Sequence, residues 1–247
     1  MKLMLIGGGD NGHGNTSYET KEIDEEIVKM TNKENPIFLF IGLASNFSDS
    51  YYDVMKNIYQ KLGCETLYLK KKNIVNNPNI AKEKIQKADI IYMSGGDTNK
   101  LVTTIKEYHL KQLLLEALNK NCVISGISAG AIAISKSGLS DYLILNNLSD
   151  KYAFIDGLIF LNLNICPHSD KKERLTDLKE LLKNTNQKVI ALDNQTAIKF
   201  DNNKYTIIKS NKSAQVKLLY WENNVWQEIK INNRNINKIL NNLTNDK

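Results

Sequence analysis

Short, almost uninterrupted apolar runs separated by amphipathic segments constrain this chain more than any other feature of its sequence. Leu3 to Ile6, Pro36 to Ile41, Glu65 to Leu69, Ala88 to Met93 and Cys122 to Ser125 read as strands. Between them, Glu22 to Met30, Ser50 to Leu62, Ile80 to Lys87 and Leu101 to Asn119 read as helices, Gly63 supplying a C-terminal stop for the second. Strands that are apolar on both faces have lost the alternation of a one-sided sheet. The pattern therefore predicts an α/β fold, with a mostly parallel sheet and helices on both faces. The second half is less regular. Ser137 to Asn147 reads as polar and turn-rich, Phe154 to Leu163 as apolar, and Glu173 to Lys183 as a helix. Lys188 to Leu192 and Thr196 to Phe200 follow as strands, and Lys204 to Ser210 and Val216 to Tyr220 alternate like antiparallel edge strands. Asn73 to Asn79 reads as a loop, and Ile236, Ile239, Leu240 and Leu243 allow a peripheral helix in the tail from about 232 to 247. With no internal repeat and no linker, residues 1–247 are expected to form one α/β domain.

In a parallel sheet, ligands collect at the carboxyl ends of the strands. Three loops rich in glycine fall there: residues 7–12, 94–98 and 126–130. The third, Gly126-Ile127-Ser128-Ala129-Gly130, joins a strand to a helix and has the G-x-S-x-G form of a nucleophile elbow. Its glycines let neighbouring backbone pass close to the serine, and the helix that follows directs unpaired N–H groups toward it. The first loop, Gly7-Gly8-Gly9, lacks both the dinucleotide spacing and a P-loop lysine, which leaves a tight turn beside a site.

A serine hydroxyl needs a base, and the base needs an orienter. The sequence holds three histidines. His109 lies within an expected helix and His13 in the first glycine loop, whereas His168 follows Pro167 at the end of an apolar run. His168 is therefore the preferred base, with His13 second. For the orienter, Asp141, Asp150, Asp156, Asp170 and Asp193 all remain open, because spacing does not choose among them.

Composition sets the surroundings. Hydrophobic residues make up 42% and charged residues 24%, ordinary values for a globular protein. The net charge of +6 is spread over scattered lysines, with arginine only at 174 and 234, so no nucleic-acid partner is expected. The three cysteines are far apart, lack zinc-site spacing and fit a reducing compartment, and Cys122 and Cys166, each ending an apolar run, read as small buried hydrophobes. Met1 to Ile6 is too short for a signal h-region, and no stretch approaches 18 apolar residues, so a cytoplasmic location with no membrane partner is expected.

Four motifs, Tyr92-Met93-Ser94-Gly95-Gly96-Asp97-Thr98, Gly126-Ile127-Ser128-Ala129-Gly130-Ala131, Cys166-Pro167-His168 and Ala191-Leu192-Asp193-Asn194, occur in an order that resembles peptidase family S51. This family holds the dipeptidase E type and the cyanophycinases, and the resemblance covers roughly residues 1–210. It implies a fold similar to class I glutamine amidotransferases, with Ser128 as nucleophile, His168 as base, and the Gly96 and Ala129 N–H groups as oxyanion hole. It places the acidic member in the loop after the nucleophile helix, where Asp141 matches best. It implies no metal or organic cofactor, a small peptide substrate, and a monomer or homodimer. The best-known members cleave dipeptides with an N-terminal aspartate held by a basic group. Arg174 is the arginine nearest the site, with Lys171 and Lys172 as alternatives and Thr98 and Asp170 as further substrate contacts. Asp97 stands where the family commonly has asparagine: turned inward its carboxylate would oppose an oxyanion, turned outward it would cap the next helix. An esterase or amidase of the same triad, or a silent binding module of the same fold, are the other readings.

Overall fold

A computed structural model describes residues 1–12, 16–45, 48–77 and 79–245. The first half alternates strand and helix as its apolar runs predict. In chain order it comprises β1 (Lys2–Ile6), α1 (Lys21–Lys29), β2 (Ile37–Ile41), α2 (Ser48–Lys61), β3 (Glu65–Leu69), α3 (Lys71–Asn76), α4 (Asn79–Lys87), β4 (Ile90–Met93), α5 (Thr98–Glu107), α6 (Leu110–Asn119), β5 (Val123–Ile127) and α7 (Ala129–Ile134). The second half comprises β6 (Ser135–Ser140), α8 (Tyr142–Leu145), β7 (Ala153–Asp156), β8 (Leu161–Pro167), α9 (Lys172–Leu182), β9 (Val189–Leu192), β10 (Thr196–Asp201), β11 (Lys204–Lys209), β12 (Val216–Glu222), β13 (Val225–Ile231) and α10 (Ile236–Asn245).

The strands form two sheets where the sequence predicts one. The first has the order β11-β10-β1-β5-β4-β2-β3. Its strands β1 to β5 are parallel, and β10 and β11 add an antiparallel edge. The second has the order β13-β12-β9-β8-β6-β7. It is parallel only through β6, β8 and β9, and antiparallel beyond them. The second sheet escapes a sequence reading because β6 is written Ser-Lys-Ser-Gly-Leu-Ser, a string of turn residues whose last three members are nonetheless buried. The expected helix from Leu101 to Asn119 is also broken, because His109 adopts a left-handed backbone (φ 54°) that ends α5 and starts α6. Lys71–Asn76, expected as loop, forms a helical turn and a half that buries Ile74.

Helix α7 joins the sheets. All six of its residues are buried, and it packs against β1, β4 and β5 of one sheet and β6, β7 and β8 of the other. One apolar cluster accordingly contains Leu3 and Ile124 from the first sheet, Ile132 from α7, and Ile165 and Ile190 from the second. Burying each such isoleucine is worth roughly 1.5–3 kcal/mol. The tail forms α10, and it is not merely peripheral, since Ile236 and Leu240 are fully buried.

Candidate active site

The site lies where strands of both sheets end. Ser128 follows β5, His168 follows β8, and Asn194 lies in the loop by which the chain leaves β9 for β10. Three consecutive carbonyls at the end of β1 hold these segments. Ile6 O accepts from the Ser128 N–H (3.0 Å), Gly7 O from the His168 N–H (3.0 Å), and Gly8 O from the Gln195 N–H (2.8 Å). The first glycine loop is therefore the turn beside the site that its composition predicts. Gly8 has no room for a side chain, because a Cβ would run into the His168 ring and the Asn194 Oδ1.

Ser128 occupies a strained backbone conformation (φ 52°, ψ −109°) that sharpens the turn from β5 into α7. Cβ atoms on the flanking glycines would strike backbone, that of Gly126 the Gly130 carbonyl and that of Gly130 the Met93 carbonyl. Ala129 is the first residue of α7, so its N–H has no acceptor in the helical ladder. The Gly95-Gly96 turn runs alongside, with the Cβ position of Gly95 only 3.6 Å from Ser128 Cβ. Gly96 is held at φ +126°, and a Cβ there would lie 2.6 Å from Ala44 O. Asp97 faces outward. Its carboxylate caps α5 by accepting from the Lys100 N–H (3.0 Å) and accepts from Asn146 Nδ2 (2.7 Å).

His168 Nε2 stands 2.8 Å from Ser128 Oγ, and His168 Nδ1 stands 2.7 Å from Asn194 Oδ1. Asp170 accepts from both the Asn194 backbone N–H (3.0 Å) and the Asn194 Nδ2 (2.9 Å). A carboxylate can only accept, so the asparagine must turn its NH2 toward Asp170 and its carbonyl oxygen toward the histidine. His168 Nδ1 must then carry the proton, which leaves the Nε2 lone pair for the Ser128 hydroxyl. Desolvation pushes the His168 imidazolium down to about 4, with the Arg174 and Lys171 charges adding to the shift against the opposing Asn194 bond and Asp141 charge. The ring is therefore neutral at pH 7. A hydroxyl held against the lone pair of a neutral imidazole, beside the unpaired Ala129 N–H, is suited to acyl transfer.

The partner of His168 Nδ1 is thus Asn194 and not Asp141. Asp141 is drawn instead to Arg174, whose Nη2 lies 3.1 Å from its Oδ2. Arg174 is 1% exposed; its Nη1 donates to Leu139 O (2.9 Å) and its guanidinium stacks 4.4 Å over the Tyr152 ring. Burial against these partners takes it out of reach of the cleft. Thr98 is likewise buried and accepts from the Ser140 hydroxyl (2.9 Å), while Asp170 is spent on Asn194. None of the three expected substrate contacts lines the cleft. Among the other orienter candidates, Asp193 accepts from Ser169 Oγ and the Gln215 N–H, and Asp150 and Asp156 are exposed. His13 lies outside the described residues. Asn194 was visible in the sequence by the criterion that found His168, since it follows the apolar run Val189 to Leu192 at a strand's carboxyl end. The three cysteines are free and buried, and burial pushes their thiols up to about 12, which leaves them inert.

The cleft over Ser128 has a volume of about 390 Å³. Asp10, Asn11, Ser45, Tyr51, Asp141 and Leu145 line it around the serine, the histidine and the Gly95-Gly96 turn.

An elbow serine facing a desolvated histidine, at the strand ends of a mixed α/β fold, is an arrangement that many hydrolases share. The chain belongs to peptidase family S51, whose model matches residues 3–208. It is 28% identical over 186 residues to an uncharacterized peptidase of Bacillus subtilis strain 168, YgaJ, covering 74% of this chain and 76% of that one. In fold it is similar to a peptidase from an acI-B1 actinobacterium, with a TM-score of 0.68 at 23% identity over 94% of this chain and 93% of the other. It is also similar to a putative peptidase E protein of Listeria monocytogenes EGD-e, with a TM-score of 0.62 at 18% identity over 84% and 98%.

Proposed function

We propose that this peptidase works through Ser128 as nucleophile, hydrolysing small peptides by way of an acyl-enzyme. The observation that carries this reading is the directed chain Asp170–Asn194–His168–Ser128, in which every hydrogen bond has only one possible sense. Ser128 Oγ attacks the scissile carbonyl carbon while His168 Nε2 takes its proton. The Gly96 and Ala129 N–H groups stabilise the oxyanion. His168 then returns the proton to the leaving amine, and a water deprotonated by the same nitrogen releases the acid. As the imidazole gains charge, Asn194 Oδ1 steadies its Nδ1–H, and the Asp170 carboxylate polarises the Asn194 amide from behind.

The outward turn of Asp97, capping α5 and bonded to Asn146, favours a working site over a silent binding module. Among the described lining residues the carboxylates are Asp10 and Asp141; Arg174 pairs with Asp141 from behind, and no lysine or arginine is itself among the lining residues. An N-terminal acidic residue would find no cation there, so the proposed substrate class is a small peptide without that preference. Treatment with a fluorophosphonate followed by peptide mapping tests the reading. An adduct on Ser128 is expected, and an adduct elsewhere, or none, would overturn it.

A further inference from the structure

Asn11 and Tyr51 of the cleft connect to a buried carboxylate that the proposed reaction does not use. Asp24 of α1 is fully buried, and among the described residues no ion pair reaches it. Its Oδ2 accepts from the Thr20 hydroxyl (2.7 Å) and the Tyr18 hydroxyl (3.1 Å), and its Oδ1 from the Tyr59 hydroxyl (2.9 Å). Thr20, also fully buried, has then spent its one proton. Its oxygen accepts from Asn11 Nδ2 (2.6 Å), which fixes the asparagine amide so that Oδ1 accepts from the Tyr51 hydroxyl (3.0 Å). The Tyr51 proton is spent in turn. The Tyr51 oxygen is also bonded by the Tyr92 hydroxyl, so the second lone pair of Asn11 Oδ1 is the acceptor offered on a wall that carries the Asp10 carboxylate and the Arg174-paired Asp141. Reversing the Asp24 end would reverse each bond along this chain.

We propose that Asp24 is a positioning residue for substrate, acting through Thr20 to hold Asn11, its amide fixed on the other side by Tyr51, as an acceptor for an N–H or ammonium group of the bound peptide. The inference rests on the serine-peptidase reading of the same cleft. Burial raises the Asp24 carboxyl to about 6, opposed by its three hydroxyl donors, so it is mainly ionised above neutrality. A buried, unpaired carboxylate is costly to fold, and a purely structural role would be served better by an apolar residue.

The test uses the full chain at pH 8 and the dipeptide that the wild type turns over fastest in a complete two-residue library. Asp24→Asn and the near-isosteric Thr20→Val are each expected to raise KM roughly tenfold, with kcat and the rate of fluorophosphonate labelling at Ser128 unchanged. Tyr59→Phe removes the hydroxyl on the far side of Asp24; it is expected to lower Tm while leaving KM alone. Thr20→Val alone decides the matter should Asp24→Asn fail to fold. An unchanged KM in the Asp24 and Thr20 variants, or an equal rise in Tyr59→Phe, would overturn the proposal while Ser128 labelling persists. A wild type that neither cleaves the library nor labels at Ser128 overturns the peptidase reading and this inference together.

Discussion

At the scale of single residues, the site turns on which way an asparagine faces. An amide NH2 presented to the base histidine would force the wrong tautomer and leave the serine without an acceptor. Here the bidentate grip of Asp170 on Asn194 prevents that orientation. Asp170→Asn removes the acceptor-only restriction, so Asn194 can rotate. We expect kcat to fall roughly 10²- to 10⁴-fold with KM little changed. An unaltered kcat in steady-state assays would show that the asparagine is held by something else. The same packing predicts the pH dependence. His168 must be neutral to accept a proton, and burial lowers its imidazolium to about 4. The rate of Ser128 labelling by a fluorophosphonate should therefore stay level as pH falls from 7.5 to 5.5. A limb centred near 6.5, the ordinary histidine value, would contradict it.

At the scale of elements, the end of β1 matters more than its length implies. Its three carbonyls fix the serine, the histidine and the asparagine loop in one register, so a change there moves all three. Gly8→Ala places a methyl group against the His168 ring and the Asn194 amide. It should cost roughly 1–3 kcal/mol of stability and, by displacing the base, about 10²-fold in kcat. Chemical denaturation together with single-turnover kinetics checks both numbers, and wild-type kinetics would refute the clamp. The alternating first half, the elbow at Ser128 and the place of His168 were legible in the sequence because each depends on local pattern. Asn194 was not assigned, although its motif was in view, because its role requires knowing that the β9–β10 loop crosses from one sheet to the other. Arg174 read as a substrate contact because the resemblance calls for a basic group and it is the arginine nearest the site in sequence. Only the structure shows it buried against Asp141, Leu139 and Tyr152. The second sheet was hidden by the turn-like composition of β6, whose burial comes from tertiary contact with α7 and not from its own apolar content.

At the scale of the whole molecule, the proposed nucleophile, Ser128, belongs to one sheet and the proposed base, His168, to the other, and α7 packs between them. Ile132 of that helix packs directly beneath Gly138 of β6. Ile132→Ala should open a cavity at this joint and lower unfolding free energy by roughly 2–5 kcal/mol, read from the denaturant midpoint. A loss below 1 kcal/mol would mean that the sheets are held elsewhere. Membership of peptidase family S51 and the fold shared with solved peptidases agree with this two-sheet frame. In the proposed reaction one hydroxyl, reached from both sheets, performs the cleavage. Comparing turnover of a dipeptide library by the wild type and by Ser128→Ala tests it most directly. Every activity of the wild type is expected to disappear in the variant while its Tm stays within a few degrees. Retained turnover of any accepted substrate by a folded Ser128→Ala protein would contradict it.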